Sequence, residues 1–138
     1  MAVSVRFFEC GSVFEDIFSE RVPGAVCSDD KAFLAAVMPS YKGDVRGDFS
    51  LCLVPAGHEI SFSGEKITYG MQHSADITLS SVGERECMLC FARQIGAIEP
   101  QEIPVPRSGL APDVLLGIAS ACIIAKTVNN PNAPSIYF

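Results

Sequence analysis

Alternation of apolar and polar side chains predicts β-strands over the first two thirds of the chain. Residues 3–8 are β-branched and aromatic, which favours a strand. Residues 48–54 place Phe49 and Leu51 on one face of an extended segment and Ser50 on the other. The same period of two recurs at 58–62, 67–69 and 75–80. Because short links with turn-forming residues separate these segments, the sequence predicts an antiparallel meander.

Two segments are compatible with more than one structure. Residues 31–38 are rich in alanine, which favours a helix, but their apolar side chains also suit a strand buried on both faces. Residues 101–105 are extended, with Pro100, Pro104 and Pro106 in or beside them. Proline has no N–H to donate to a neighbouring strand, so this segment is expected at a sheet edge or in coil.

Helix signals occur near the N-terminus and at the end of the chain. Ser12 and Glu15 form a capping-box pattern before a short amphipathic helix that must end by Pro23-Gly24. A longer helix is predicted from Pro112, a residue favoured at the first helical position, through Lys126 to the Asn129-Asn130-Pro131 stop.

The long helix has an unusually wide apolar arc. Leu116, Ala121 and Ile124 fall outside the stripe that would face a sheet. Exposed apolar area of this kind often marks a contact surface. We therefore expect this outer face to contact a second copy of the chain or a partner protein.

Length and composition predict one folded domain over residues 1–138. The predicted elements span about 3–128, which leaves a tail at 129–138. With 138 residues and 49% hydrophobic side chains, the chain is long and apolar enough for one core.

A net charge of -6 has the wrong sign for phosphate-driven binding of nucleic acid. Gly117 and Ser120 interrupt the most apolar stretch, so no transmembrane segment is expected.

The cysteines are expected to be reduced thiols. The N-terminal residues have no export-signal pattern, so a cytoplasmic location is predicted, where disulfides are rare. Cys87 and Cys90 form the one CxxC motif. If residues 86–98 are a strand, positions three apart point to opposite faces, so these two sulfurs cannot share a metal ion. The remaining cysteines are Cys10, Cys27, Cys52 and Cys122.

No catalytic constellation or cofactor motif is recognisable in the sequence. His58 and His73 have neither a metal-ligand spacing nor a paired carboxylate beside them. The Gly43/Gly47 pair lacks the lysine and hydroxyl residue of a phosphate-binding loop. Asp29-Asp30 lacks the calcium-loop pattern. We therefore predict neither a catalytic residue, nor a metal site, nor a cofactor.

One stretch resembles a known family. Val22-Pro23-Gly24-Ala25, the segment 29–35 and Arg46-Gly47-Asp48-Phe49 are similar to the signature of the CoxG-like group of carbon monoxide dehydrogenase-associated proteins, a branch of the START-like (SRPBCC) superfamily. The motif match covers residues 22–54. The resemblance implies that residues 31–38 form a strand. It also implies an α+β helix-grip fold, in which an antiparallel curved sheet of about six to seven strands wraps around the long C-terminal helix.

The resemblance further implies that the protein binds a hydrophobic small molecule or lipid. The group that it resembles also implies a role as an accessory subunit of a redox enzyme. The pocket would lie between the sheet and the last helix. Its expected lining is apolar: Phe33, Phe49, Leu51, Leu53, Phe62, Ile77, Leu79, Leu89, Phe91, Leu115, Ile118, Ala119 and Cys122.

Two alternatives use the same residues differently. A scaffold protein would fill this interior as an ordinary core. A cyclase or hydrolase-type enzyme would need polar groups that point into the pocket, for which the candidates are His58, His73, Tyr69 and Arg93.

Overall fold

The structure is a computed structural model that describes residues 3–8, 13–27, 31–133 and 135–138. Cys10, Ser12, Asp29 and Asp30, which the sequence analysis discussed, lie outside these residues, as does the side chain of Cys27. In chain order the elements are β1 (Ser4–Phe8), α1 (Val13–Arg21), β2 (Val26–Cys27), β3 (Lys31–Val37), β4 (Asp48–Pro55), β5 (Glu65–Tyr69), β6 (Ile77–Val82), β7 (Glu86–Phe91), β8 (Gln101–Pro106) and α2 (Pro112–Asn129).

The predicted α+β class is confirmed, because one curled sheet holds the long C-terminal helix in a helix-grip-like arrangement. The sheet has eight strands in the order β2-β1-β3-β4-β5-β6-β7-β8, of which β2 is only two residues long. Residues 31–37 form a strand, as the resemblance implied. β8 is an edge strand, the position that its prolines favour.

The predicted antiparallel order is correct only for β6, β7 and β8. β3 runs parallel to β1 and to β4, and β5 runs parallel to β4 and β6. The connections 38–47 and 56–64 are longer than the strands β3 and β4, so they can return the chain to its starting side. Residues 58–62, predicted as a strand, lie in the second of these connections.

The two returning connections cover the outer face of the sheet. They contribute Val45, with Tyr41, Ile60 and Phe62 packed beside it, to a separate apolar cluster. The Phe8 ring meets the Tyr41 and Phe49 rings edge-on, with centroids 5.3 and 5.7 Å away. We call this set the outer cluster; its buried members are Phe8, Ala32, Ala35, Val37, Val45, Phe49, Cys52 and Val54. Burial of β3 and β4 on both faces is typical of parallel strands.

The prediction that α2 has an exposed apolar face is wrong. Leu116 and Ala121 are fully buried, and Ile124 is 3% exposed. The sheet contacts one side of α2 and α1 packs against another, with Phe14 and Phe18 of α1 in the same core. The expectation of a partner on this face therefore loses its basis, because the apolar arc is used inside the fold.

The hydropathy of α2 meets the length and composition requirement for a membrane span. Its 18 residues have a mean hydropathy of 1.3, although Gly117 and Ser120 interrupt them. Inside the fold, 61% of this segment is buried, as is common for a core helix.

Gly117 allows β5 to approach α2 closely. The Tyr69 hydroxyl donates a 2.6 Å hydrogen bond to the Val37 carbonyl, which holds the ring in place. A Cβ atom at position 117 would lie 2.9 Å from the Tyr69 hydroxyl oxygen and 3.0 Å from Cζ. Glycine is therefore required here by the fixed position of a buried aromatic ring.

We predict that Gly117→Ala lowers the free energy of unfolding by about 1–3 kcal/mol, because the new methyl group overpacks against Tyr69. Urea denaturation measures this change. Ser120→Ala in the same helix is the control. It removes a hydroxyl that donates to the Leu116 carbonyl at 2.6 Å, and we expect a change of at most about 1 kcal/mol. Stabilisation by Gly117→Ala, as helix propensity alone would give, would contradict the close-contact explanation.

Candidate functional site

Most of the predicted pocket lining is packed into a continuous core beneath α2. These side chains are at most 6% exposed and belong to one apolar cluster, which fills the centre of the interior. The predicted residues in this group are Leu53, Ile77, Leu79, Leu89, Phe91, Leu115, Ile118, Ala119 and Cys122.

Phe49 and Phe62 do not face α2. Both lie with the outer cluster, so the sheet itself separates them from the helix. The sequence places Phe49 on the same face as Leu51, yet Leu51 belongs to the inner core. Phe62 is in a connection rather than in a strand, and that connection crosses the outer face.

An open groove lies between the sheet and the C-terminal half of α2. Its volume is about 440 Å³, and two predicted lining residues, Phe33 and Leu51, form its sheet side. Ser50, Glu65 and Thr127 contribute polar atoms. We call it the apolar groove, and its main apolar lining is Phe33, Leu51, Ile95, Ile98, Ile124 and Val128.

A tight turn after β7 builds one wall of the apolar groove. Ile95 and Ile98 exchange two backbone hydrogen bonds of 2.9 Å, and Gly96 between them has a φ of 56°, which favours glycine. The turn buries both isoleucines against the core. Neither isoleucine is predicted from the sequence as a site residue, because residues 86–98 resemble one continuous run. Gly96 between the two isoleucines is the signal of a turn.

The polar groups that an enzyme would need do not gather in the apolar groove. His73 is exposed. Tyr69 is buried, and its burial raises the pKa of the phenol. His58 lines a different cleft of about 450 Å³ with Tyr69 and Asp113, at the N-terminal end of α2. The buried Nε2 of His58 has no hydrogen-bond partner among the described residues.

Arg93 belongs to a structural ion pair. Its Nε donates a 2.8 Å hydrogen bond to Oδ1 of Asp76, and Glu65 lies 3.9 Å from its Nη1. Oδ2 of Asp76 accepts the Thr68 backbone N–H at 2.9 Å. β5 and β6 pair at one position, Tyr69 with Ile77, so the Asp76 carboxylate supplements a short ladder.

Three of the four described cysteines, Cys52, Cys87 and Cys122, are buried core side chains, and Cys90 is half-buried. Burial raises the pKa of Cys52 to about 11 and that of Cys122 to about 12, so both stay protonated near neutral pH. Cys87 and Cys90 lie on β7, as predicted, and the burial pattern of this strand alternates. The two sulfurs therefore leave opposite faces of the sheet.

Comparison with known proteins adds no assignment: neither a family model, nor a curated protein, nor a solved structure matches this chain. The resemblance to the START-like superfamily thus depends on the motif at residues 22–54 and on the order of the predicted elements.

We predict that Asp76→Asn lowers the free energy of unfolding at pH 7 by about 1–2 kcal/mol, because the charged hydrogen bonds to Arg93 and Thr68 weaken. Burial alone would raise the pKa of Asp76, but the hydrogen bonds from Arg93 and Thr68 outweigh it and lower the pKa. The carboxylate therefore stabilises the fold above the unfolded-state pKa of about 3.9, and this contribution is lost as the pH falls through the folded-state value.

Urea denaturation from pH 7 to pH 3 measures this difference, which should shrink below about pH 4. Asp44→Asn is the matched control. Asp44 pairs with Arg46 at 3.4 Å, but the two side chains are 79% and 87% exposed, so we expect almost no change. An equal effect of the two variants at pH 7 would contradict the role given to Asp76.

Proposed function

We propose that this protein binds a hydrophobic small molecule in the apolar groove. The observation that carries the proposal is the open volume of about 440 Å³ between the sheet and α2, lined largely by aliphatic and aromatic side chains. Ligand sites in proteins are commonly concave, mostly apolar and of a few hundred Å³. The resemblance to the START-like superfamily supports the same region, since it implies a pocket between sheet and helix.

The lining of the apolar groove favours binding over chemistry. Among the described residues, it contains no histidine, cysteine or tyrosine. Ser50, Glu65 and Thr127 can orient a ligand at the rim, and the Thr127 hydroxyl already donates to the Ile123 carbonyl at 2.9 Å. The side chains that a bound molecule would cover are chiefly apolar, so the driving force is removal of apolar surface from water.

We expect the affinity for linear 1-alkanols to rise about fourfold per methylene until the groove is filled, which corresponds to about 0.8 kcal/mol per buried CH₂. Displacement of Nile red by alcohols from octanol to tetradecanol measures the series. An affinity that does not depend on chain length would contradict the proposal.

Val128→Trp should obstruct the groove and weaken dodecanol binding about tenfold or more. Val128 is 41% exposed and lines the groove, so the larger side chain occupies the space of the ligand without entering the core. Val82→Trp is the matched control, because Val82 is 47% exposed at the end of β6, away from the groove. Equal affinities of the two variants for dodecanol would place the ligand elsewhere.

A further inference from the structure

A second cavity lies next to the apolar groove at the end of α2. Its volume is about 270 Å³, and it shares Ala97, Thr127 and Pro131 with the groove. Arg21 from the last turn of α1 and Lys126 from the last turn of α2 line it. We call this second cavity the cationic cleft.

Aromatic rings of the C-terminal segment hold the two cations. The guanidinium carbon of Arg21 lies 4.4 Å from the centre of the Phe138 ring, and Nζ of Lys126 lies 4.2 Å from the centre of the Tyr137 ring. These cation–π contacts fix the long side chains at the wall of the cleft. They do not neutralise the charges.

Carboxylates do not compensate these two charges within the described part of the chain. Arg46 and Arg93 form ion pairs there, whereas neither Arg21 nor Lys126 has an acidic partner. Burial is the main cause that lowers the pKa of Lys126; a charged Cys122 would oppose it, and repulsion from Arg21 adds a smaller lowering effect. An uncompensated cation pair is notable in a chain whose net charge is -6.

We infer that the ligand of the apolar groove is an amphipathic acid, whose carboxylate or phosphate head lies between Arg21 and Lys126 in the cationic cleft. This inference depends on the proposed function, because it assigns the head of the same ligand. The shared residues show that the two cavities are adjacent, and a molecule that spans both would place its apolar chain in the groove and its head in the cleft.

Hydrogen-bond donors beside the cations fit an anionic head. Asn129 and Asn130 line the cationic cleft with Arg21 and Lys126. Oδ1 of Asn129 accepts the Val3 N–H at 2.8 Å, which leaves the Nδ2 donors of that amide for other acceptors. A neutral ligand would leave both cations without an anion, and a cationic ligand would be repelled. Glu65, the acidic residue of the groove, lies on the sheet side, where Arg93 faces it at 3.9 Å.

The test compares three ligands that share one twelve-carbon chain: dodecanoic acid, dodecyl phosphate and dodecanol. Binding is measured at pH 8 and low salt by displacement of Nile red, so that both acids are ionised. We expect at least one acid to bind about tenfold more tightly than the alcohol, as a charge-assisted hydrogen bond provides. The preferred acid identifies the head as carboxylate or phosphate. The preference should decrease as salt is added.

Variants then assign the preference to the two cations. Lys126→Met and Arg21→Gln should each reduce the preference for the acid severalfold while the affinity for dodecanol changes less than twofold. Lys42→Met is the matched control, because Lys42 is exposed in the connection 38–47 and does not line the cleft. Retention of the full preference in both cleft variants would overturn the inference.

The wild-type comparison separates this inference from the proposed function even if a variant fails to fold. If dodecanol and both acids bind equally, the groove binds apolar ligands but the inferred acidic head is wrong. If none of the three binds, the proposed function is wrong and the inference is wrong with it.

Discussion

Burial of α2 on every side is the constraint on which the rest of the fold depends. All residues from 115 to 125 are buried, so this helix has no polar face to present to water over three turns. A flat sheet could cover only one side of such a helix. The curled sheet and α1 together enclose it, with Phe18 of α1 stacked edge-on against Phe7 of β1 at 5.3 Å. Because each large apolar side chain buried here contributes about 1.5–3 kcal/mol, this enclosure is a major source of stability.

The candidate site lies where that enclosure ends. Lys126 and Thr127 are half-buried, and Val128 is exposed, so the last turn of α2 extends beyond its apolar cover. The beginnings of β3 and β4 supply Phe33 and Leu51 at the same level, and the turn at Gly96 closes the far wall. The apolar groove thus continues the core, but no side chain of the protein fills its volume. Phe33 and Val128 keep apolar surface exposed there, and a ligand would remove it from water together with its own apolar surface.

The C-terminal end of α2 stabilises the cations Arg21 and Lys126 without acidic partners among the described residues. The C-terminus of a helix carries a partial negative charge, which stabilises Lys126 in the last turn. The Phe138 and Tyr137 rings attract Arg21 and Lys126 through cation–π contacts. These effects explain how Arg21 and Lys126 remain charged near one another. They also leave both cations able to contact an anion, which is the basis of the inferred acidic head.

The sequence by itself determined several local elements, because β1, α1, β4 and the ends of α2 follow from periodicity, proline and capping signals. It limited residues 101–105 to a sheet edge or coil, and the structure places them at the edge as β8. The opposite directions of Cys87 and Cys90 follow from the same period of two. Tertiary structure alone decided that β3, β4 and β5 pair in parallel, that Phe49 belongs to the outer face, and that Leu116 and Ile124 are covered. It also brought Arg21 and Lys126 into one cleft. The physical reason is that periodicity shows which side chains share a face of a strand or helix. The element that packs on that face depends on the path of connections such as 38–47 and 56–64. The local sequence pattern does not specify that path.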